Sequence, residues 1–410
     1  MLFVLMFLCI VALAHFYLWH RMVRSTTGPG RLRKALTWGL VGMVLLVAAA
    51  FAGSRVAWGH WLAWPGYLWV AVMFYLVVIL VVLEVPRAVA ALLLRRAAPR
   101  SAAPEPEPVP VLAGAGGPAE DEPVAPPAAE PAPMSRRLFV GRATAAVAGV
   151  GALGTVGYGV ATALGDPVTE RVAVTLPKLD PRLSGLRFAV VSDVHLGPLT
   201  GLRHTERIVR MINGLEADVV AIVGDLVDGP VADLGPLARP LKNLESRYGA
   251  YFVTGNHEYY VPGGPGEWIQ ELAELGVRSL RNERVEIRHQ GAVLDLAGVN
   301  DVGGADAGDP PDFDKALGGR SAGRSTVLLA HQPVQVAEAA RHGVDLQLSG
   351  HTHGGQLAPF NLVVGLQQPV VSGLATVDGV PVYVTRGAGF WGPPVRVGAP
   401  PEITMLELRA

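Results

Sequence analysis

The chain has 410 residues, of which half are hydrophobic and only 17% are charged. This length is too great for one ordinary domain, and the apolar content excludes an intrinsically disordered chain, which lacks the residues to form a core. The formal net charge is −1, but residues 1–165 carry 13 basic and 7 acidic side chains, whereas residues 166–410 carry 21 and 28. An acidic second part excludes nucleic acid as its expected partner, because phosphate binding needs a basic surface.

Residues 1–96 are predicted to form three transmembrane helices. Apolar stretches occur at Leu2–Leu18, 35–52 and 66–85, each close to the ~20 residues that cross a hydrocarbon core. A cleaved signal peptide is the alternative for the first stretch, but its basic residues follow the apolar run instead of preceding it. The only cysteine, Cys9, lies in this stretch, which excludes an intrachain disulfide and a cysteine-based metal site.

Residues 97–134 are predicted to be a disordered linker, because 11 of the 37 residues from 97 to 133 are proline and the segment has little to bury. Residues 135–165 admit two interpretations. The motif Ser135-Arg136-Arg137-Leu138-Phe139-Val140 resembles a twin-arginine export signal, and the same two arginines would anchor a fourth transmembrane helix at 143–164. Both deliver the rest of the chain to the same side of the membrane. Whether the chain is cleaved near residues 161–165 stays open.

The distribution of basic residues predicts how the chain crosses the membrane, because loops rich in Lys and Arg remain in the cytoplasm. The loop between the second and third stretches contains only Arg55. The flanking segments are basic, with Arg21, Arg24, Arg31, Arg33 and Lys34 after the first stretch, Arg87, Arg95, Arg96 and Arg100 after the third, and Arg136, Arg137 and Arg142 before the fourth. We therefore expect a multi-pass protein of the cell membrane with residues 86–142 cytoplasmic and everything after Leu164 extracytoplasmic.

Residues 166–410 have the pattern of an α/β domain, in which short apolar strands alternate with helical segments. The candidate strands are 186–191, 219–223, 250–253, 327–329 and 346–348, and the clearest helical segments are 203–215 and 268–275. Further strand-like segments at 293–299, 382–385 and 403–408 predict a second sheet.

Polar side chains typical of metal sites follow five of these strands. In chain order they are Asp193 and His195, then Asp225 and Asp228, then Asn256, His257 and Glu258, then His331, and finally His351 and His353. Ligands of open α/β sheets bind just beyond the carboxyl ends of strands. Five such motifs in order, each after a strand, exclude coincidence. Three further histidines, His204, His289 and His342, lie outside these motifs and are expected at the surface or on helix faces.

Carboxylates and imidazoles crowded together need compensating positive charge, which divalent metal ions supply. Nitrogen ligands mixed with Asp and Asn oxygens favour manganese, with iron, zinc or cobalt as alternatives, over calcium, which prefers oxygen alone. Two such ions, offset by Asp193, Asp225 and one hydroxide, would leave about one positive charge. The centre would therefore attract an anionic phosphoester.

The motif set D-x-H, G-D-x-x-D, G-N-H-E, H and G-H-x-H resembles that of the calcineurin-like metallophosphoesterase superfamily, in particular its membrane-anchored bacterial members. The likeness runs from Arg171 onward, and it implies a four-layer α-β-β-α sandwich that holds two divalent metal ions. It implies three ligands for the first metal (Asp193, His195, His353), three for the second (Asn256, His331, His351), Asp225 as a bridge between them, and His257 beside them without ligating.

Two-metal hydrolysis in such a centre uses a hydroxide that bridges the ions and attacks phosphorus in line. His257, oriented by Glu258 or Asp228, would protonate the leaving oxygen or stabilise the transition state. The alternative, a non-catalytic membrane sensor that retains the scaffold, would be expected to have lost a ligand. A zinc protease or a metallo-β-lactamase is excluded, because neither H-E-x-x-H nor H-x-H-x-D-H occurs.

The sequence therefore predicts a membrane-anchored phosphodiesterase or pyrophosphohydrolase. A lipid-linked phosphoester is one candidate substrate, because anchoring concentrates the enzyme beside lipids and the family includes UDP-diacylglucosamine pyrophosphohydrolases. The expected partners are this substrate and the membrane, and no obligate protein partner is predicted.

Overall fold

The computed structural model describes residues 2–53, 60–97 and 135–410. These residues fall into two compact units, one of Met1–Val41 and Met73–Ala152 and the other of Gly42–Val72 and Leu153–Ala410. The predicted linker, from residue 98 to residue 134, and Arg55 lie outside the described residues.

Four long helices come first in the chain. They are α1 (Leu2–Leu18), α2 (Arg31–Gly53), α3 (Ala63–Ala97) and α4 (Arg136–Leu164). Among the described residues, α2, the Ala63–Val89 part of α3, and α4 are long and apolar enough to cross a membrane. The first predicted span coincides with α1, which has 17 residues and continues into a π-helical turn, Trp19–Arg24. These helices equip the chain for membrane association.

The second unit contains the strands of two six-stranded sheets. In sheet order, the first has β1 (Val168–Thr175), β12 (Glu402–Arg409), β2 (Arg187–Val191), β3 (Val219–Val223), β4 (Ala250–Val253) and β5 (Val277–Ser279). The second has β10 (Gly373–Val377), β11 (Val380–Val384), β9 (Leu346–Ser349), β8 (Thr326–Leu329), β7 (Ala292–Gly298) and β6 (Glu283–His289).

Seven shorter helices accompany the strands. They are α5 (Leu202–Asn213), α6 (Val231–Ala238), α7 (Asn256–Tyr260), α8 (Gly266–Glu274), α9 (Phe313–Leu317), α10 (Val336–Arg341) and α11 (Asn361–Val364). Buried side chains of α5 and α8, such as Ile208 and Trp268, pack on one face of the first sheet. Phe313 of α9 and Ala339 of α10 pack on the outer face of the second.

The main core lies between the two sheets, where Phe188 and Val219 of the first sheet join Leu294, Val327 and Leu346 of the second. Side chains alternate between the two faces of a strand. Strands covered on both faces are apolar throughout, and the five residues of β3 are all buried hydrophobics. The order helices, sheet, sheet, helices confirms the predicted four-layer α-β-β-α sandwich.

The parallel parts of the sheets bring the polar loops together. β2, β3 and β4 run parallel in the first sheet, and β7, β8 and β9 run parallel in the second. Parallel strands have their carboxyl ends at the same edge of a sheet. The residues that follow these strands therefore collect at one edge of the sandwich.

Candidate metal centre

Five loops at this edge carry the predicted ligands, and the side chains converge in the buried interior. Asp193 and His195 follow β2, Asp225 follows β3, and His331 follows β8. All four are almost fully inaccessible to solvent. Asn256 begins α7 directly after β4, and His351 and His353 follow β9. The structure thus brings six of the seven predicted ligands into converging groups, and the seventh, Asn256, lies at the carboxyl end of the neighbouring strand β4.

The backbone at five of these positions adopts the left-handed conformation, which L-residues other than glycine rarely adopt. The φ angles are 52° at Asp193, 48° at His195, 49° at Asp225, 70° at His351 and 50° at His353. Such residues cost about 1–3 kcal/mol each and cluster at functional sites. Backbone hydrogen bonds stabilise this conformation. For example, the backbone N–H of His195 donates to the carbonyl oxygen of Asp225 at 3.2 Å.

Asp193, His195 and His353 form the first group of converging ligand atoms, which lie within 4.8 Å of one another. The Nε2 atoms of the two imidazoles are 3.0 Å apart, and Nε2 of His353 is 3.3 Å from Oδ1 of Asp193. Two imidazole nitrogens and a carboxylate oxygen at such distances surround a space suited to one cation.

Asp225, His331 and His351 form the second group. Oδ2 of Asp225 lies 3.1 Å from Nε2 of His331 and 3.9 Å from Nε2 of His195. One oxygen of Asp225 is therefore close to ligand atoms of both groups. A third cluster joins His195 and Asp225 to His257, whose Nε2 lies 4.0 Å from the same oxygen.

The hydrogen bonds of the histidines leave nitrogen lone pairs for metals. Nδ1 of His331 is 2.8 Å from the carbonyl oxygen of Val223. A carbonyl oxygen only accepts, so this nitrogen donates and Nε2 is left with its lone pair. Nδ1 of His195 likewise donates to Oδ1 of Asp228 at 2.8 Å, the arrangement that orients metal-bound histidines in proteins.

The hydrogen bonding of Asn256 shows whether these residues could hold a metal ion. Its Oδ1 is buried and has no hydrogen-bond partner in the described part of the chain, and the same holds for Nε2 of His331. Buried polar atoms without partners are costly. A cation near both would satisfy these atoms, and the mixed nitrogen and oxygen donors suit Mn, Fe, Zn or Co. The residues therefore fit two divalent ions.

The pKa values of the two ligand carboxyl groups, Asp193 and Asp225, are strongly shifted. Burial raises the pKa of Asp193. Burial also opposes ionisation of Asp225, but the imidazoles of His331 and His257 outweigh it and hold its pKa well below the usual range. Perturbed carboxylates grouped with imidazoles are typical of functional sites.

His257 stands beside the cluster and is held by Asp228. Its Nδ1 lies 2.7 Å from Oδ1 of Asp228. Burial lowers the pKa of His257, but Asp225 and Asp228 overcome this and raise it to about 9. Of the two carboxylates that the sequence offered to orient this imidazole, the structure places Asp228 against it.

Glu258 accepts hydrogen bonds from the backbone of the metal loops. Its carboxylate accepts from the N–H groups of Gly255, Asp225 and Leu226, at 2.6, 3.1 and 2.8 Å. Burial, followed by the nearby charge of Asp225, raises the pKa of Glu258 to about 7. The residue therefore supports the turn that presents Asp225.

Two aromatic side chains flank His257 at the outer side of the centre. The rings of Tyr260 and Trp391 have centroids 5.1 and 5.8 Å from that of His257. Both side chains are largely exposed. Within the loop 385–392, Trp391 is the member whose ring contacts His257. Arg386 instead pairs with Glu402 at 2.8 Å.

Two residues of the centre were missed from the sequence. Arg396 is fully buried and donates to the carbonyl oxygens of Gly389 and His353, at 2.9 and 3.1 Å. It lies in no recognisable motif. Asp301 is buried, accepts from Gln332 at 3.0 Å, and has one oxygen without a partner in the described residues. It follows a strand, β7, as the ligands do, and that position was the available signal.

Comparison with known proteins identifies relatives. Residues 186–355 match the family model described as calcineurin-like phosphoesterase. A transmembrane protein with metallophosphoesterase domain from Bos taurus is 41% identical over 264 residues, 62% of this chain and 59% of that protein. A metallophosphoesterase from Aquifex aeolicus is 33% identical over 244 residues, 58% of this chain and 91% of that protein. The solved structure of a dimetal phosphatase from Danio rerio has a TM-score of 0.32 and 12% identity, covering 50% of this chain and 88% of that chain.

The chain spans 59% and 60% of the lengths of the two vertebrate relatives from Bos taurus and Danio rerio. It covers the Aquifex relative almost throughout, at 33% identity. The converging ligand groups lie within residues 186–355, which the family model matches. The chain therefore belongs to the calcineurin-like metallophosphoesterase family.

Proposed function

We propose that the protein is a membrane-anchored, dinuclear metal-dependent phosphoesterase that hydrolyses a P–O bond, in a phosphodiester or a pyrophosphate. The observation that carries this proposal is the position of Asp225, whose single carboxylate oxygen is near ligand atoms of two separate groups. That arrangement suits a pair of ions that share a ligand, as in two-metal hydrolases.

Asp193, His195 and His353 would hold one ion, Asn256, His331 and His351 the other, and Asp225 both. When bound, such ions lower the pKa of water and neutralise charge on phosphoryl oxygens. Manganese is the proposed metal, because imidazole nitrogen combined with Asp and Asn oxygens suits it.

His257 would act on the leaving oxygen. The imidazole stands at the outer side of the centre, between the ligands and the exposed rings of Tyr260 and Trp391. Its Nδ1 is fixed by Asp228, so Nε2 points toward Asp225 at 4.0 Å. A proton held at Nε2 is within reach of a substrate bound there, and such general-acid help contributes about 10²–10⁴-fold.

The catalytic domain would lie outside the cytoplasm, with several helices crossing the membrane. The support is the basic character of the segments between α1 and α2, at the end of α3 and at the start of α4, in contrast to the nearly neutral segment after α2. We propose α4 as an anchoring span, because it is a helix of 29 residues that is apolar enough to cross a membrane. Use of Arg136 and Arg137 as a twin-arginine export signal is the alternative.

A lipid-linked phosphoester is the substrate class that we propose. A tethered active site meets bilayer components at high local concentration, as linked binding partners do.

The test is hydrolysis of bis-p-nitrophenyl phosphate by the purified full-length chain with Mn²⁺. Asp225→Asn should lower kcat more than about 100-fold, because even residues that only orient metal ligands contribute 10–100-fold. Asp233→Asn, the same change at an exposed position of α6, is the matched control and should leave kcat unchanged. Equal rates for wild type and Asp225→Asn would refute the proposal, as would an absence of turnover with any divalent ion.

A further inference from the structure

An unusual number of exposed apolar side chains lies in one short segment of the catalytic domain. Large hydrophobic side chains are exposed at eleven positions of residues 166–410, and four of these fall within residues 360–366. They are Phe360 (47% exposed), Leu362 (71%), Val363 (50%) and Leu366 (84%). Single exposed apolar residues need no explanation, but a contiguous group marks an interaction surface. We call residues 360–366 the apolar segment.

The apolar segment is attached to the loop that presents the metal ligands. It begins seven residues after His353, and α11 packs against the ligand loop. Gly355 approaches Asn361 so closely that a Cβ built on the glycine would lie 2.4 Å from the Cα of Asn361. The Gln356 side chain donates to the carbonyl oxygen of Trp391 at 3.0 Å, and the Trp391 ring in turn contacts His257. The segment therefore borders the metal centre.

The last turns of α4 contact the same region of the domain. The backbone N–H of Arg396 donates to the carbonyl oxygen of Gly159 in α4, at 2.9 Å. A Cβ built on Gly159 would lie 2.4 Å from Cγ1 of Val395. Val397 pairs with the start of the ligand loop, since its N–H donates to the carbonyl oxygen of Gln356 at 2.8 Å. One short loop thus joins α4 to the loop that leads into the apolar segment.

The beginning of α3 approaches the same loop at Gly392, next to Trp391. A Cβ built on Gly392 would lie 3.9 Å from the ring of Tyr67. Tyr67 is near the first residue of the Ala63–Val89 span, and Leu164 ends the span of α4. Only three residues separate Leu164 from β1. The distance between Leu164 and the first residue of β1 is therefore at most about 14 Å. The loop 392–397, which pairs with the ligand loop ahead of the apolar segment, therefore contacts the ends of both helices.

The composition of the segment favours lipid over an aqueous partner. Residues 354–377 contain no charged side chain, although the domain is acidic. A charged protein surface would find no complementary group here, whereas the interfacial layer of a bilayer accepts Leu, Phe and Val. Trp391 is the residue type that concentrates at membrane interfaces.

We propose that Phe360, Leu362, Val363 and Leu366 insert into the interfacial layer of the bilayer that holds α3 and α4. The inference rests on the membrane anchoring in the proposed function and adds a contact surface to it. The metal centre then opens at the lipid surface, and the phosphate of a membrane amphiphile reaches the centre past Trp391 without the molecule leaving the bilayer.

The test measures lipid contact directly. In a Cys9→Ser background, Leu366→Cys is labelled with the fluorophore NBD, and the full-length chain is reconstituted into vesicles of phosphatidylcholine and phosphatidylglycerol. Nitroxide-labelled phosphatidylcholine should quench the emission at least about twofold. The control is Ser321→Cys, which precedes β8 at the opposite end of the sheet from His331, and it should not be quenched. Equal quenching of the two labels would refute the proposal.

Burial of the segment by a second copy of the chain gives a different result. The emission at position 366 would then shift to the blue without nitroxide quenching, and the shift would grow with the protein-to-lipid ratio. That outcome overturns the lipid contact. A double variant, Leu362→Asp with Leu366→Asp, should abolish the quenching of a label at Val363→Cys, and Leu362→Ile with Leu366→Ile should retain it.

Turnover separates this inference from the proposed function. Hydrolysis of the water-soluble bis-p-nitrophenyl phosphate should be unchanged in the double Asp variant, because neither leucine contacts the ligands. Quenching without any turnover would support the lipid contact and refute the phosphoesterase activity. Turnover without quenching would support the phosphoesterase activity and refute the lipid contact.

Discussion

A single carboxylate oxygen orients two histidines of the centre. Oδ1 of Asp228 lies 2.8 Å from Nδ1 of His195 and 2.7 Å from Nδ1 of His257. His195 is a proposed metal ligand and His257 the proposed acid. Both imidazoles oppose the cost of burying Asp228 and hold its pKa below the usual range. Asp228 thus positions the ligand and the proton donor together.

We expect Asp228→Asn to lower kcat and metal affinity at once. An amide keeps the shape, but its acceptor oxygen carries no charge, so the hydrogen bonds to both histidines become weaker. Supporting residues of this kind contribute about 10–100-fold. The measurements are kcat for bis-p-nitrophenyl phosphate and the Mn²⁺ concentration that gives half of the activity. Asp312→Asn is the control, because Asn can still cap α9 at this exposed position. A change in neither quantity would contradict the role of Asp228.

His204 shows how a residue outside the motifs can still respond to pH. It lies on α5 but is buried instead of exposed at the surface, and its Nδ1 accepts from Arg207 at 3.1 Å. Burial, followed by the charge of Arg207, lowers its pKa to about 4. The unfolded chain therefore takes up this proton more readily than the folded one. The stability contribution is complete above pH 6.5 and is lost as the pH falls toward 4.

We expect His204→Gln to reduce the loss of melting temperature between pH 7 and pH 4.5. A shift of this size corresponds to about 2–3 kcal/mol, or roughly 4–10 °C for a domain of this size. Melting is followed in detergent with EDTA, so that metal release does not contribute. His342→Gln is the control. Hydrogen bonding to the Glu338 backbone raises the pKa of His342, so removing it should not narrow the difference.

At the scale of elements, the inner strands of both sheets were predictable from the sequence, whereas the edge strands were not. The predicted strands 219–223 and 250–253 coincide with β3 and β4, because strands buried on both faces are continuous apolar runs. The four strands that sequence analysis missed, β1, β5, β6 and β10, are the four edge strands. Their residues are mostly exposed or half-buried, so hydrophobic periodicity is weak there.

The same limit applies to close approaches between loops. The pair Gly354-Gly355 directly follows the predicted ligand His353, and Gly355 packs against Asn361. Among the glycines that approach ligands closely is Gly255, where a Cβ would lie 2.1 Å from Oδ1 of Asp225. The sequence shows where a glycine occurs, but only the fold shows which side chain packs against it.

We expect Gly255→Ala to displace Asp225 and weaken metal binding at least about tenfold, because the added methyl group has no room and the carboxylate must move. Isothermal titration with Mn²⁺ on the EDTA-treated chain measures this loss. Gly266→Ala is the matched control, since a Cβ there meets nothing within 4 Å. Wild-type affinity in Gly255→Ala, with circular dichroism unchanged, would show that Asp225 is not held by this contact.

At the scale of the whole molecule, the proposed threading makes the catalytic domain accessible from outside. Protease added to intact spheroplasts should remove residues after Leu164, because the basic flanking segments keep the other side of the helices in the cytoplasm. Immunoblotting of a tag placed after residue 410 measures the loss. A tag inserted within residues 97–134 is the control and should survive until the membrane is permeabilised. Protection of the first tag would reverse the proposed orientation.

The position of β12 has a consequence for biogenesis. Glu402–Arg409 pairs with β1 on one side and with β2 on the other, so a strand made after the other five strands of the first sheet lies inside that sheet. Until the ribosome has released this segment, β1 and β2 have no common neighbour and their polar edges stay open to incorrect pairing. Translocation of the domain must therefore either protect these edges or wait for synthesis to finish.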